Sequence, residues 1–433
     1  MHARSHSTQR VSRVDPVAPR RRGGVRRAAV RPRALGVRPG ACLRPRTLAA
    51  TVKLDMTTLP SHNTVAGWLG RLRAKVLERP VELLHLCGTH ERVICDTGLR
   101  DALPATVNVV AGPGCPLCVC PEEDLQQAIR LAVSGEAVVV AYAELLRIPV
   151  HVGPGQPCSL EEARGAGAEV IPISTAIEAL VLARSRPHAN VVFLLTGFEL
   201  GLRSLAALLA HGLPSNLYLM LALRRLAPAL EQLLASGDPA IDGVLLPSHL
   251  VAVTGLGPWR RALSKRGVPG VVIGFEPSDV LGGIHDLVDD VGAGRRGIDS
   301  RGHDIDSDAG RDQPDASTWM RVAGALEVTD AFWRGLGVIP DSGYRVQSAL
   351  VEHDARPRFV GLRDEARASL RPPPTACDCG AVLYGKRRPV DCALFGISCH
   401  PGNPVGPCMV SEQGVCRIWW AQGRRARAAE ALD

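Results

Sequence analysis

Aromatic residues and long hydrophobic runs are scarce in this sequence. Phe, Trp and Tyr make up 4% of its 433 residues, although 46% of the residues are hydrophobic. No stretch reaches the ~18 uninterrupted apolar residues that a membrane-spanning helix needs, and the apolar segment of a secretory signal is also missing. We therefore expect a globular protein of the cytoplasm, where thiols stay reduced, with no membrane partner.

Nucleotide-binding sequence motifs are missing as well. Outside the N-terminus the chain also has no net positive charge. Neither GxxxxGK[ST] nor a strand-linked GxGxxG occurs, so the sequence gives no support for a direct ATPase role. Residues 1–50 contain thirteen Arg and a single acid, Asp15, a net charge of +12, so the rest of the chain carries −4 of the total of +8. This distribution excludes a basic nucleic-acid-binding domain and leaves only a basic tail.

The chain is long enough for two or three domains, because single cores stop growing near roughly 250 to 300 residues. Its Arg-rich beginning lacks a periodic apolar pattern, so we expect a disordered extension over residues 1–55. A transit peptide, a nucleic-acid-binding arm and a wrongly assigned start codon all fit this composition, and we favour the last because Met56 opens a predicted helix. The further predicted regions are α/β domains over 56–180 and 181–290, an exposed loop over 291–320 and a C-terminal domain over 321–433.

Short hydrophobic runs alternate with Ala/Leu-rich stretches from residue 81 to 276, which is typical of alternating strands and helices. Their near-continuous hydrophobicity indicates strands that are buried on both faces of a parallel sheet. We predict an α/β fold of two doubly wound, mainly parallel sheets with a boundary near residue 180, although a single barrel fits the same periodicity. The predicted strands are 81–86, 107–112, 136–143, 168–173, 190–197, 216–222, 242–247 and 270–276.

Polar and thiol groups gather at the ends of these strands. In an open α/β sheet the ligand crevice lies at the carboxyl ends of the strands. Any single end could be a turn with helix-capping residues, but five together predict a site. The five ends are CGTHE (87–91), GPGCPLC (112–118), TGFE (196–199), PSHL (247–250) and GFEP (274–277).

Three thiols in these strand ends suggest two kinds of chemistry. Cys87 is a soft donor that suits iron, and His90, three residues later, can ligate, orient or carry protons. Cys115 and Cys118 have the C-x2-C spacing of a redox dithiol. We favour that interpretation over zinc, which would need a second pair of Cys or His ligands in the same fold.

Six further cysteines lie within the last 57 residues. Iron–sulfur clusters take four thiolates, whereas structural zinc usually shows C-x2-C pairs, and none occurs in this run. We therefore favour a 4Fe-4S cluster over zinc and interpret 321–433 as an iron–sulfur domain. The predicted ligands are Cys392, Cys399, Cys408 and Cys416, with Cys377 and Cys379 in reserve.

Taken together, the motifs resemble the HypD family of hydrogenase formation proteins. The chain departs from the usual family pattern at Glu91 and Arg92, at Leu200 and in PSHL. The matching segments follow the family order: CGTH (87–90), GLR (98–100), GPGCPLC (112–118), TGFE (196–199), GFEP (274–277), WRGLGVIPDSG (333–343), CDCGAVLYG (377–385) and CALFGISCHPGNPVGPCMVSEQGVC (392–416).

The resemblance implies a scaffold for nickel–iron hydrogenase maturation rather than a conventional turnover enzyme. Iron would acquire two cyanides and one carbon monoxide while Cys87 and a cysteine of a HypC-type chaperone hold it. A HypE-type partner would donate the cyanide, and the hydrogenase large subunit would receive the product. Cys115 and Cys118 would exchange electrons with the 4Fe-4S cluster. His90, Glu199 and Glu276 are candidate proton carriers, with structural roles as the alternative.

Two other functions fit the same residues. A stand-alone iron–sulfur thiol–disulfide oxidoreductase would turn over disulfide substrates without partner proteins. A zinc-stabilised protein with a basic tail would bind nucleic acid in a salt-dependent manner.

Overall fold

The computed structural model describes residues 64–299, 315–374 and 376–423. The extension predicted at 1–55 lies outside the described residues. Three short 3-10 helices lie at Ala143–Arg147, Ser348–His353 and Pro389–Asp391. The strands of the described residues are β1 Val81–His85, β2 Val107–Ala111, β3 Val138–Tyr142, β4 Val170–Ile173, β5 Val191–Gly197, β6 Leu217–Leu223, β7 Gly243–Pro247, β8 Pro269–Ile273, β9 Gly297–Asp299, β10 Leu326–Trp333 and β11 Gly337–Val346.

Helices connect these strands as the alternating pattern predicts. Local signals explain several of their boundaries: Thr175 and Glu178 form a capping box at one helix start, and Gly135 ends another in the left-handed conformation. The α-helices of the described residues are α1 Val65–Ala74, α2 Gly88–Asp96, α3 Leu99–Ala102, α4 Glu122–Ser134, α5 Leu160–Gly165, α6 Ala176–Ser185, α7 Gly201–Ala210, α8 Leu226–Ser236, α9 Ser248–Thr254, α10 Gly257–Ser264, α11 Pro277–Gly292, α12 Ala316–Val322, α13 Ala355–Arg358, α14 Val360–Ser369, α15 Cys379–Leu383, α16 Pro407–Val410 and α17 Val415–Ala421.

Two parallel sheets form the centre of the fold. One has the strand order β2-β1-β7-β8-β9 and the other β4-β3-β5-β6, and every pairing in both sheets is parallel. The α/β class with two parallel sheets is confirmed, and the barrel alternative is wrong. All eight predicted strands form, each within a few residues of its expected bounds.

The boundary expected near residue 180 does not separate the two sheets. Residue 180 lies in α6, between β4 and β5 of the same four-stranded sheet. The five-stranded sheet instead combines β1 and β2 with β7 to β9, because β7 pairs with β1. The chain thus forms two strands of the five-stranded sheet, then the whole four-stranded sheet, and then the other three strands of the five-stranded sheet. Hydrophobic runs indicate which segments are strands, but they do not indicate which strands pair.

The sequence analysis did not predict three strands of the described residues. β10 and β11 form an antiparallel hairpin, and β10 is exposed along much of its length, so it lacks the continuous apolar run of the buried strands. The loop predicted over 291–320 begins instead with the last residues of α11 and with β9, which pairs with β8, and α12 starts before its end. Residues 300–314, its central part, lie outside the described residues.

A shared core joins the C-terminal cysteine-rich region to the sheets. One cluster of buried side chains includes Leu84 of β1, Leu194 of β5, Trp333 of β10, Phe395 and Trp419. The cysteine-rich region therefore packs against the strand ends rather than apart from them. None of the helices in the described ranges is long and apolar enough to cross a membrane.

Candidate functional site

The carboxyl ends of both sheets surround one small cavity. It has a volume of about 240 Å³ and lies beside Cys87, which directly follows β1. Four of the five predicted strand ends contribute to it, and the fifth is adjacent, because the Phe275 ring lies 5.0 Å from that of His90 and 5.3 Å from that of His249. Residues that line the cavity include Cys87, Gly114, Tyr142, Thr196, His249 and Gln413.

Cys87 combines burial with a position at a helix start. It is the N-cap residue of α2 and only 6% exposed. Burial raises the pKa of its thiol, while the backbone N–H groups of His90 and Thr89 and the Thr89 side chain partly offset that rise. The thiol is therefore protonated when no cation is bound. A cation at the sulfur would favour the thiolate, because opposite charge lowers a thiol pKa.

Two glycines allow other loops to approach Cys87 closely. A Cβ on Gly114 would lie 2.5 Å from the backbone nitrogen of Cys87, and a Cβ on Gly88 would lie 2.3 Å from the carbonyl oxygen of Gln413. Both distances are too short for a side chain, so glycine is required at each position. The GPGC loop and the C-terminal segment thus meet at the same thiol.

Cys115 and Cys118 form a disulfide. Their exposed fractions are 1% and 0%, and the Cys118 N–H donates to the Cys115 sulfur at 3.2 Å. Pro116, between them, lines the cavity that Cys87 also lines. The predicted dithiol is therefore oxidised and buried, immediately beside the candidate iron ligand.

The two histidines near the cavity are uncharged. His90 Nε2 lies 3.0 Å from the carbonyl oxygen of Gly274, and burial lowers the pKa of His90 to about 3. Burial also lowers the pKa of His249 to about 4. The Nδ1 atoms of both rings are buried without a hydrogen-bond partner in the described part of the chain. Neutral imidazoles of this kind can donate or accept a hydrogen bond but do not repel a cation.

The two candidate glutamates differ in environment. Glu276 forms a capping box with Asp279 at the start of α11, which is a structural role. Glu199 is buried, and its Oε1 accepts a hydrogen bond from the Leu226 N–H at 2.9 Å. Burial raises the pKa of Glu199 to about 7, so it titrates near neutral pH.

Glu91, at the end of the CGTHE motif, organises a buried polar network. Its Oε2 lies 2.7 Å from His85 Nε2 and accepts from Arg100 at 2.6 Å, while Trp419 Nε1 and the Cys95 thiol donate to Oε1. Burial alone would raise the pKa of Glu91, but Arg100, His85 and Trp419 together lower it to about 2. One carboxylate thus ties α2, whose N-cap residue is Cys87, to α17, which carries Cys416.

The six C-terminal cysteines converge, with Cys379 at their centre. The Cys377 thiol donates to the Cys379 sulfur at 3.3 Å. Hydrogen bonds from Cys377 and Cys416, and then the charge of Arg334, lower the pKa of the Cys379 thiol despite its burial. A Cβ on Gly406 would lie 2.3 Å from the Cys379 sulfur, so glycine makes room for the sulfurs here.

The other three cysteines of this region adjoin the same group. The Cys416 N–H donates to the Cys408 sulfur at 3.4 Å. Cys399 and Cys392 interact electrostatically, and Cys379 also acts on Cys399. Within the described ranges, no group of three or more His, Cys, Asp or Glu side chains is already arranged as a metal site. The choice of four ligands among six cysteines stays a prediction.

Comparison with known proteins identifies the family. Residues 63–423 match the model of the family described as HypD, hydrogenase formation hypA family. The hydrogenase maturation factor HypD of Azotobacter vinelandii is 35% identical over 82% of this chain and 93% of its own length. The chain belongs to the HypD family. Another HypD, from Rhizobium leguminosarum bv. viciae, is 34% identical over 82% of this chain and 91% of its own length.

Membership of the HypD family supports a role in hydrogenase maturation. A third relative, the hydrogenase expression/formation protein HupD of Azotobacter chroococcum mcd 1, is 36% identical over 81% of this chain and 92% of its own length. The resemblance inferred from the cysteine and glycine motifs is thereby confirmed. The HypD motifs, which are dispersed along the sequence, meet at the cavity and at the C-terminal cysteines.

Arg334 connects these two parts of the HypD fold, and sequence reasoning assigned it no role. Its N–H donates to the carbonyl oxygen of Val119 at 3.0 Å, one residue after Cys118. Its buried guanidinium donates to the Pro149 carbonyl and pairs with Glu122, each at 2.7 Å. The same guanidinium charge lowers the pKa of Cys379. Arg334 therefore lies between the disulfide loop and the C-terminal cysteines.

Glu91 and Thr196 were also missed as site residues. Glu91 was recognised only as part of a strand-end motif, because its partner Trp419 is 328 residues away. Thr196 begins the TGFE motif, and a threonine at the end of a strand usually indicates only β-propensity. The one available signal was that both residues lie in the strand-end segments CGTHE (87–91) and TGFE (196–199).

Proposed function

We propose that this protein is the scaffold on which the Fe(CN)2CO group of nickel–iron hydrogenase is assembled. The observation that carries the proposal is the position of Cys87: a buried thiol at a helix start, beside a cavity that the strand ends of both sheets form. The iron is cargo here and passes on to the hydrogenase large subunit. A thiolate is a soft ligand that suits such iron.

Partner proteins would complete the site. A HypC-type chaperone would contribute a second cysteine to the iron held by Cys87, and a HypE-type protein would donate the cyanides. The cavity is small, and no Asp, Glu, Lys or Arg occurs among the described residues that line it. This supports the binding of small uncharged or anionic diatomic ligands, since no carboxylate opposes them.

The C-terminal cysteines would hold a resident 4Fe-4S cluster. The donor set fits, because the thiols of Cys377 and Cys416 interact with that of Cys379, the other three cysteines adjoin them, and Gly406 leaves space beside the sulfurs. We propose Cys392, Cys399, Cys408 and Cys416 as ligands, with Cys377 and Cys379 in reserve. When bound, the cluster would supply single electrons at a site that Arg334 joins to the disulfide loop.

The residues of the chain would meanwhile bind and orient the cargo. Cys87 would lose its proton on binding iron, and the helix start would stabilise the thiolate. The neutral rings of His90 and His249 would not repel the metal. Cys115 and Cys118 would store two electrons as a dithiol and release them on forming the disulfide seen here.

A stand-alone thiol–disulfide oxidoreductase is the second candidate, because the C-x2-C pair is oxidised. Such an enzyme must expose one sulfur to its substrate, and thiolate attack depends on access. Burial of both sulfurs, at 1% and 0% exposure, argues against that function.

Infrared spectroscopy of the complex that co-purifies anaerobically with HypC- and HypE-type partners tests the scaffold. We expect bands of iron-bound cyanide and carbon monoxide in the wild-type complex. Cys87→Ala should abolish them, because the iron loses its thiolate, while the visible absorption of the cluster stays intact. Cys158→Ala, a change at a cysteine outside the cavity, serves as the matched control and should retain all bands.

Two results would contradict this proposal. A wild-type complex that contains the iron but shows no cyanide or carbon monoxide bands is not an assembly scaffold. Loss of the cluster absorption together with the bands in Cys87→Ala would show that the two sites are not separate.

A further inference from the structure

The cavity beside Cys87 has hydrogen-bonding groups whose donors the proposed function does not use. Thr196, the last residue but one of β5, is 6% exposed, and its Oγ1 is buried without a hydrogen-bond partner in the described residues. The Nδ1 atom of His249 is likewise buried without a hydrogen-bond partner in the described residues. Both residues line the cavity. A buried polar group without a partner is unfavourable, so two such groups at one cavity point to a ligand.

The size of the cavity restricts the ligand to a small one. Its volume of about 240 Å³ is below the roughly 300–1,000 Å³ of pockets that hold drug-sized molecules. It is nevertheless well above the roughly 10–15 Å³ that a single buried water molecule needs. A few diatomic ligands fit this space, whereas a nucleotide does not.

The cavity lining mixes polar groups with apolar ones. Thr196, His249 and the hydroxyl pair of Tyr142 and Ser204, whose oxygens are 3.1 Å apart, supply neutral donors. Leu86 and Leu250, each 1% exposed, and Phe198, 6% exposed, supply apolar surface. A mixed lining of this kind suits a ligand set in which some members accept hydrogen bonds and another does not.

We propose that Thr196 and His249 donate hydrogen bonds to the nitrogen ends of the cyanides on iron held by Cys87, while Leu86, Phe198 and Leu250 surround the carbon monoxide. This inference rests on the proposed scaffold function and specifies how its cargo is bound. The cyanide nitrogen has a lone pair and is the better acceptor, so it belongs next to the two donors. The two side chains are binding residues that select the orientation of the ligands.

Substitutions of Thr196 can test the effect of its hydroxyl group separately from the effect of its side-chain shape. In the infrared spectrum of the co-purified complex, Thr196→Val keeps the volume and should displace at least one cyanide band, with a smaller shift of the carbon monoxide band. Thr196→Ser restores the hydroxyl and should return the bands to their wild-type positions. Thr97→Val, at an exposed residue at the end of α2, makes the same chemical change outside the cavity and should leave the spectrum unchanged.

A measurement on the wild-type complex covers the case in which Thr196→Val does not fold. Exchange from H2O into D2O replaces the donated protons, so cyanides that accept hydrogen bonds should change frequency and carbon monoxide should not. Cyanide bands that coincide in H2O and D2O would overturn the inference. Wild-type bands unchanged in a folded Thr196→Val complex would also overturn it, while the scaffold function would stand. Absence of all bands from the iron-containing wild-type complex would instead refute the scaffold function itself.

Discussion

Glu91 is the single side chain on which the arrangement of the two sites depends most directly. It is fully buried, and its carboxylate interacts with His85, Arg100 and Trp419, from three separate parts of the chain. A buried charge is tolerated only where partners compensate for its lost hydration. The network therefore fixes α2 relative to α17, and with it the position of Cys87 relative to Cys416.

The acid stability of the protein should reflect this carboxylate. The pKa of Glu91 is lowered from 4.5 to about 2 in the folded state, so its contribution is fully present above pH 4.5 and is lost as pH falls towards 2. Linkage gives a contribution of roughly 3 kcal/mol to the free energy of unfolding. Urea denaturation at a series of pH values should show this loss for the wild type and not for Glu91→Gln.

Glu91→Gln should also destabilise the protein at neutral pH, by about 3 to 5 kcal/mol, because Arg100 loses a buried partner. Glu231→Gln is the matched control, since Glu231 forms an exposed ion pair with Lys265, a kind of pair that contributes about 0–1 kcal/mol. Equal denaturation midpoints for the two variants would show that the Glu91 network contributes no more than a surface pair.

At the scale of elements, loops rather than helices or strands carry most of the cysteines of the candidate sites. Cys87, Cys115 and Cys118 lie in turns after β1 and β2, and Cys392 and Cys399 lie between short helical segments. Rigid strands position the ends of these loops, and glycines permit their close approach. The loop before α16 is the clearest case, because Gly406 lies against the sulfurs of Cys379 and Cys377.

Gly406→Ala should prevent normal assembly of the C-terminal cysteine site. The new Cβ would lie 2.3 Å from the Cys379 sulfur and 3.2 Å from the Cys377 sulfur, so one of them must move. We expect loss of most of the visible cluster absorption after anaerobic reconstitution with iron and sulfide. Gly402→Ala is the control in the same loop, where the nearest atom, His400 Cε1, would be 3.3 Å away. Retention of full absorption by Gly406→Ala would show that these sulfurs do not form the cluster site.

At the scale of the whole molecule, the two sheets and the C-terminal region enclose the Cys115–Cys118 disulfide. Neither sulfur of the Cys115–Cys118 disulfide is accessible to solvent beyond 1%. Reduction by an external thiol therefore requires an opening of the structure, which native packing makes infrequent.

Dithiothreitol should reduce this disulfide much more slowly in the native protein than in the urea-unfolded protein. Alkylation at timed intervals followed by mass spectrometry measures both rates at the same two cysteines. Equal reduction rates in the native and unfolded protein would contradict the burial of the disulfide. They would then favour the function of a stand-alone oxidoreductase. Slow reduction in the native state supports a dithiol that exchanges electrons with a site inside the fold.

Local patterns in the sequence sufficed for much of this description. The eight buried strands were predictable because continuous runs of Val, Leu and Ile indicate parallel strands wherever they occur. The three sets of thiols were predictable because C-x2-C, CGTH and the C-terminal cysteine run are each contained in short segments. The same reasoning could not detect β10 and β11, in which buried residues are interrupted by exposed ones.

The sequence by itself determined the α/β class, the strand-end position of Cys87 and the family to which the chain belongs. Only the tertiary structure decided that β7 pairs with β1, that Trp419 donates to Glu91 and that Thr196 and His249 share a cavity with Cys87. The physical reason is the range of the interactions. Strand formation and motif spacing depend on neighbours in the chain, whereas pairing, burial and the compensation of charge depend on contacts between residues hundreds of positions apart.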